Sequence, residues 1–146
     1  MIPLEEYKNI VNQMPIVCID AIIINQKNQY LLVRRKNEPL KGEYWVPGGR
    51  LLKNETLHDA VKRKVQQELN IKSHVIMPVG VYEDFFDKDP FNTKTGLHTV
   101  SIVFLMIAEG DDIVLDDQSD EWGWFPELPE RLRKMTLTST IGGFNS

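Results

Sequence analysis

Gly49, Glu55, Arg63 and Glu68 stand close together in the chain, and between them they can hold phosphate and a metal ion. Pro47, Gly48 and Gly49 bend the chain into a loop whose backbone can approach a ligand closely. The run from Glu55 to Leu69 then has helical period, with Leu57, Ala60, Val61, Val65 and Leu69 on one stripe and Asn70 suited to its end. On such a helix Glu55 lies near the positive end of the dipole. Glu68 can reach a divalent cation, and Arg63 can orient a carboxylate or grip a phosphate oxygen through paired hydrogen bonds. A hard cation would also offset an awkward charge balance. The chain carries 17 Lys and Arg against 21 Asp and Glu, a net charge of -4. That sum argues against a nucleic-acid polymer as partner and leaves any phosphate site to a few local basic residues and the metal.

The elements that must position these residues are those of one domain spanning residues 1–146. With 42% hydrophobic and 26% charged residues the chain is globular and not disordered. Helical spacing from Leu4 to about Met14 predicts a short amphipathic helix stopped by Pro15. Strands are predicted over Ile16 to Ile24 and Tyr30 to Arg35, then a loop from Glu38 to Trp45 and a short extended piece at Trp45-Val46. Further strands are expected at about His74 to Phe86, Thr99 to Ala108 and Trp122 to Phe125, with a polar loop from Asp87 to Gly96. A closing helix near Glu127 to Met135 and a loose tail from Gly142 to Ser146 complete an α+β pattern. Cys18, the only cysteine, sits in an apolar run and reads as a small buried hydrophobe, which excludes disulfides and a cysteine-based zinc site. No signal-peptide pattern and no apolar span of about 20 residues is present, so the expectation is a cytoplasmic protein without a membrane partner.

Gly49, Glu55, Arg63, Val65, Glu68 and Ile71 resemble the box of the Nudix hydrolases, with Lys64, Gln67 and Asn70 departing from it. The box places glutamates at the positions of residues 64, 67 and 68, one turn apart on one helix face. Here the three charges are +1, 0 and -1, so the face is expected to hold fewer metal ions. The sequence is similar over most of its length to the GDP-mannose mannosyl hydrolase branch of that family. The match includes Asp20, Arg35, Tyr44-Trp45, the run Val46 to Arg50, Glu55-Thr56-Leu57, Gly80-Val81-Tyr82 and Asp117-Gln118.

The resemblance implies a Nudix fold, a mixed β-sheet sandwiched between α-helices. It implies Mg²⁺, or Mn²⁺, held by Glu68, the Gly49 carbonyl and Gln118. Arg35 would contact the leaving diphosphate, Arg50 and Arg63 would add positive charge, and Asp20 would help bind a nucleoside diphosphate sugar. Water would attack the anomeric carbon, releasing nucleoside diphosphate and free sugar, and the protein would be a homodimer. Ser119 stands where the branch has its general-base histidine, and a neutral hydroxyl is a poor base. Asp120, Glu121 and His98 are the candidate replacements, and Asp120 is expected to be catalytic. Lys64 reads either as a surface residue or as a cation that touches phosphate in place of a second metal. Three activities follow: the glycosyl hydrolase, a pyrophosphohydrolase releasing nucleoside monophosphate, and a non-catalytic nucleotide-sugar binder.

Overall fold

The computed structural model describes residues 2–88, 91 and 95–134. Met135, the tail from Gly142 to Ser146, and residues 89, 90 and 92–94 of the predicted Asp87–Gly96 loop lie outside these. The chain runs α1 (Leu4–Gln13), β1 (Ile16–Ile24), β2 (Tyr30–Arg35), β3 (Tyr44–Trp45), β4 (Gly48–Arg50) and α2 (Leu57–Leu69). It continues through β5 (Ser73–Phe86), β6 (Leu97–Ala108), β7 (Ser119–Phe125) and α3 (Glu130–Arg133).

One mixed sheet organises the molecule, in the order β3-β2-β1-β6-β5, with β4 also on β1 and β7 on β2. β1 pairs parallel with β6, while the other pairings are antiparallel. β1 is apolar on both faces because both are covered. Ile19, Ala21 and Ile23 pack with Ala60, Val61, Val65 and Leu69 of α2. Ile22 packs on the other side with Leu32, Val103, Leu105 and Leu132 of α3. This is the expected α+β sandwich.

β1 and β2 have the predicted limits. α2 starts at Leu57 and not at Glu55, because the Thr56 side chain caps it by accepting from the Asp59 N–H at 3.1 Å. Asn70 ends it in the left-handed conformation. Two expectations are corrected by strand pairing. Gly48–Arg50, read as a bend into a loop, is a strand whose partners are Cys18, Ile19 and Asp20. β7 begins at Ser119, three residues before the predicted start at Trp122, because the ladder with β2 continues past a bulge to Arg35. No helix among the described residues is long and apolar enough to cross a membrane.

Candidate active site

The sheet forks beside β1. At Ile24 its partner is Tyr30 of β2, but at residues 18–20 the partner is β4. The Pro47 carbonyl, accepting from the Ala21 N–H at 2.8 Å, threads the chain into the wedge between the diverging strands. Gly48 makes this approach possible. A Cβ there would stand 2.0 Å from Asp20 Oδ1 and 2.5 Å from the Ile19 carbonyl oxygen. A cleft of about 300 Å³ opens at the fork, walled by Asp20, Arg35, Gly49, Arg50, Lys64, Glu68 and Gln118 among others.

Glu68 reaches the fork from α2. It is 4% exposed, and one carboxylate oxygen accepts from the Gly48 N–H at 2.9 Å. Burial pushes its carboxyl up to about 7, with Asp116 adding to the rise, while Lys64, the Gly48 N–H and Arg35 oppose it. Asp20 is equally buried and accepts a hydrogen bond from the Tyr82 hydroxyl. Its carboxyl too is pushed up to about 7 by burial, against the pull of Tyr82 and Arg35. Cys18, expected to be a buried hydrophobe, is half-buried on the cleft wall. Burial, with Asp20 adding, raises its thiol to about 12, which keeps it protonated and unreactive.

Arg35 lies at the end of β2 and is held by the following loop, its Nε donating to the Pro39 carbonyl at 2.7 Å. Arg50 spreads its guanidinium over the Tyr7 ring, 4.4 Å from the centroid. Gln118 faces the same cleft, and its backbone carbonyl accepts from the Lys36 N–H at 3.0 Å. Tyr82 lines the cleft as the hydrogen-bond partner of Asp20, a contact that its place in the matched run Gly80-Val81-Tyr82 does not reveal. It is 62 residues from Asp20, and only the pairing of β5, β6 and β1 brings the two together.

Arg63 stands outside this cleft. Its Nε and Nη2 hold the two oxygens of Glu55 at 3.0 and 2.7 Å, and Nη2 also donates to the Arg50 carbonyl at 3.1 Å. Glu55 in turn accepts from the Leu52 N–H at 2.9 Å, and Arg63 holds its carboxyl below the usual range. Arg63 therefore fixes the loop between β4 and α2. Replacing it by Met is expected to cost about 2 kcal/mol in denaturant unfolding, since Glu55 is left with an unpaired half-buried charge. An unchanged midpoint would show that the clamp holds nothing.

The candidate bases from the acidic run do not reach the cleft. Asp120 takes both ends of the exposed Arg34 guanidinium at 2.8 and 3.0 Å, which lowers its pKa. Glu121 lies 3.4 Å from the same arginine and accepts from the Tyr44 hydroxyl. Ser119 is buried opposite Arg35 in the β2–β7 ladder. His98 stacks on Phe85 at 4.3 Å and pairs with Glu83 at 3.1 Å, away from the cleft.

The donors suit a metal of the hard type. A carboxylate, a backbone carbonyl and a side-chain amide, from Glu68, Gly49 and Gln118, line one cleft and are all oxygen ligands. Among the described residues no three His, Cys, Asp or Glu side chains gather around a possible metal position.

The NUDIX domain family matches residues 14–135. The low-salt glycan biosynthesis protein Agl8 of Haloferax volcanii is 33% identical over 120 residues, covering 82% of this chain and 76% of that protein. An ADP-ribose pyrophosphatase of Methanocaldococcus jannaschii is 35% identical over 111 residues, covering 76% of this chain and 62% of that protein. Among solved structures, a MutT NUDIX hydrolase from Burkholderia pseudomallei superposes with a TM-score of 0.70 at 26% identity, covering 88% of this chain and 99% of that one.

Proposed function

This chain belongs to the NUDIX domain family, and on that premise we propose that it hydrolyses nucleoside diphosphate sugars of the GDP-mannose type, releasing nucleoside diphosphate and free sugar. Nudix hydrolases use a divalent metal. The observation that carries the substrate class is the charge on the cleft wall. Three cations, Arg35, Arg50 and Lys64, line it against two carboxyls, Asp20 and Glu68, so the wall is positive even with both carboxyls ionised. A wall of that sign in an acidic chain suits a diphosphate. The name of the Haloferax volcanii relative, a glycan biosynthesis protein, supports a sugar as the second half.

Mg²⁺ or Mn²⁺, held by Glu68, Gly49 and Gln118, would neutralise charge on the diphosphate when bound. Arg35 and Arg50 take up the remaining charge as it develops on the leaving group. Water forms its bond to the anomeric carbon, the bond from that carbon to the diphosphate oxygen breaks, and the electron pair leaves with the diphosphate. With Asp120 and Glu121 tied to Arg34 and His98 to Glu83, the water proton passes to Asp20 in this reading. The apolar residues Leu4, Met14, Val17 and Leu52, exposed around α1, support a homodimer as part of the same proposal. A cytoplasmic location is retained with it.

The test is product analysis with GDP-mannose and Mg²⁺ in ¹⁸O-water. Labelled mannose with unlabelled GDP is expected; GMP with mannose 1-phosphate would move the protein to the second reading, a pyrophosphohydrolase, which the name of the Methanocaldococcus jannaschii relative favours. The base has its own signature. Asp20 works only when ionised, and its pKa is about 7, so kcat should fall as pH drops below about 7. Saturating metal keeps Glu68 ionised over the same range. Asp20→Asn is expected to lose about a hundredfold in kcat together with that pH limb. Asp120→Asn should stay within about twofold of the parent, given its exposed pairing with Arg34. The reverse ranking in initial-rate measurements would return the role to Asp120.

A further inference from the structure

Lys64 stands where the charge on the cleft wall meets the Gly49 backbone. It lies on α2 one turn before Glu68, half-buried on the cleft wall. Gly49 leaves room for it. A Cβ on Gly49 would stand 2.5 Å from Lys64 Cε and 3.0 Å from its Nζ, so the stem of the lysine fills the place of the missing side chain. Of the groups that favour ionised Glu68, Lys64 acts most strongly. Yet among the described residues it forms no ion pair with any carboxylate within 4.0 Å. An ammonium held at a cleft wall without a paired carboxylate presents its charge to whatever enters. It also repels a second divalent ion at the place where Gly49 and Glu68 meet, whereas neighbouring Gln67 is turned to Arg63 at 3.1 Å.

We propose that the Lys64 ammonium, seated over Gly49 beside Glu68, is a built-in phosphate-binding cation that lets the cleft take a diphosphate without metal and restricts it to one divalent ion. This rests on the reading that a diphosphate occupies the cleft, but not on which bond is cut. Arg35 and Arg50 supply the neighbouring charges, so the three cations can share the oxygens of a pyrophosphate group.

The experiment is calorimetric titration of the full chain with inorganic pyrophosphate in EDTA, followed by counting bound Mn²⁺ by electron paramagnetic resonance. The parent should bind pyrophosphate without metal, and Lys64→Gln should weaken that binding about tenfold. Lys64→Arg should restore it. Lys62→Gln, an exposed lysine two residues away on the same helix, should change nothing and serves as the folding control. The parent should hold one Mn²⁺, and Lys64→Glu should hold two. Equal pyrophosphate affinity in the parent and Lys64→Gln would overturn the proposal, as would a parent that binds none in EDTA or that already holds two ions. Failure of the sugar-nucleotide reading would show instead as the wrong products or no turnover, neither of which this binding test measures.

Discussion

Glu68→Gln should lose at least about a hundredfold in turnover, more than is usual for removing a group that only orients a metal ligand. Glutamine keeps the length of the side chain and an oxygen to accept from the Gly48 N–H, so the fork can form as before. What it lacks is the charge. Glu68 is the one carboxylate on its helix face facing Gly49 and Gln118, and an amide holds a hard cation poorly. Stability should move the other way. The folded protein keeps the Glu68 carboxyl at about 7, well above the ordinary carboxylate range. The stability that its neutral form contributes is fully present below that ordinary range and is lost as pH rises through about 7. At pH 8 in EDTA the parent carries the cost of a buried charge and the variant does not. Glu68→Gln is therefore expected to melt several degrees higher than the parent at pH 8, with the gap closing at pH 4. Undiminished turnover would remove Glu68 from the metal site, and a lower melting point at pH 8 would contradict its burial as a charge.

Gly48→Ala should cost more stability than any surface change, about 4 kcal/mol or the whole fold. Its Cβ would press on the Ile19 carbonyl and on Asp20 Oδ1, and neither is the loose end of a flexible chain. Relief requires β4 to leave β1, which gives up the pairings of Gly48, Gly49 and Arg50 and the contact from Gly48 to Glu68. The adjacent Gly49→Ala provides the contrast. Its Cβ meets only the tip of Lys64, which can swing aside, so a loss below about 1 kcal/mol is expected. Denaturant unfolding of both variants decides the matter. Equal losses would mean that the close approach at Gly48 is not what joins β4 to β1.

β1 and β2 could be delimited from sequence to the residue, because Pro15 and the polar turn Asn25 to Gln29 bound runs that are mostly apolar. The stripe of α2 was equally plain. β4 was not, since Pro47-Gly48-Gly49 has the local chemistry of a bend and is a strand only by virtue of its partner. Asp120 and Glu121 illustrate a different failure. The β2–β7 ladder sets Glu121 across from Arg34 and Ser119 across from Arg35, and the bulge between these pairs lets Asp120 reach Arg34 as well. That arrangement depends on the start of β7 at Ser119 and on the bulge, both of which the acidic run concealed. Gln118 was reached by resemblance and not by its own surroundings, for an exposed glutamine in an acidic turn carries no signal of metal binding.

The parallel pairing of β1 with β6 sets each residue of one strand against a partner 83 positions away, from Ile16 opposite Thr99 to Ile24 opposite Ile107. Such a contact is among the last that a growing chain can make, and its loop entropy must be met before it gives any return. When α2 emerges from the ribosome it already bears Arg63, Lys64 and Glu68, but β6 and Gln118 are still to be synthesised. A nascent or clipped chain that stops before Leu97 owns the box helix without the wall it faces. The cleft is thus assembled only once β6 and Gln118 have joined α2, late in the synthesis of the chain.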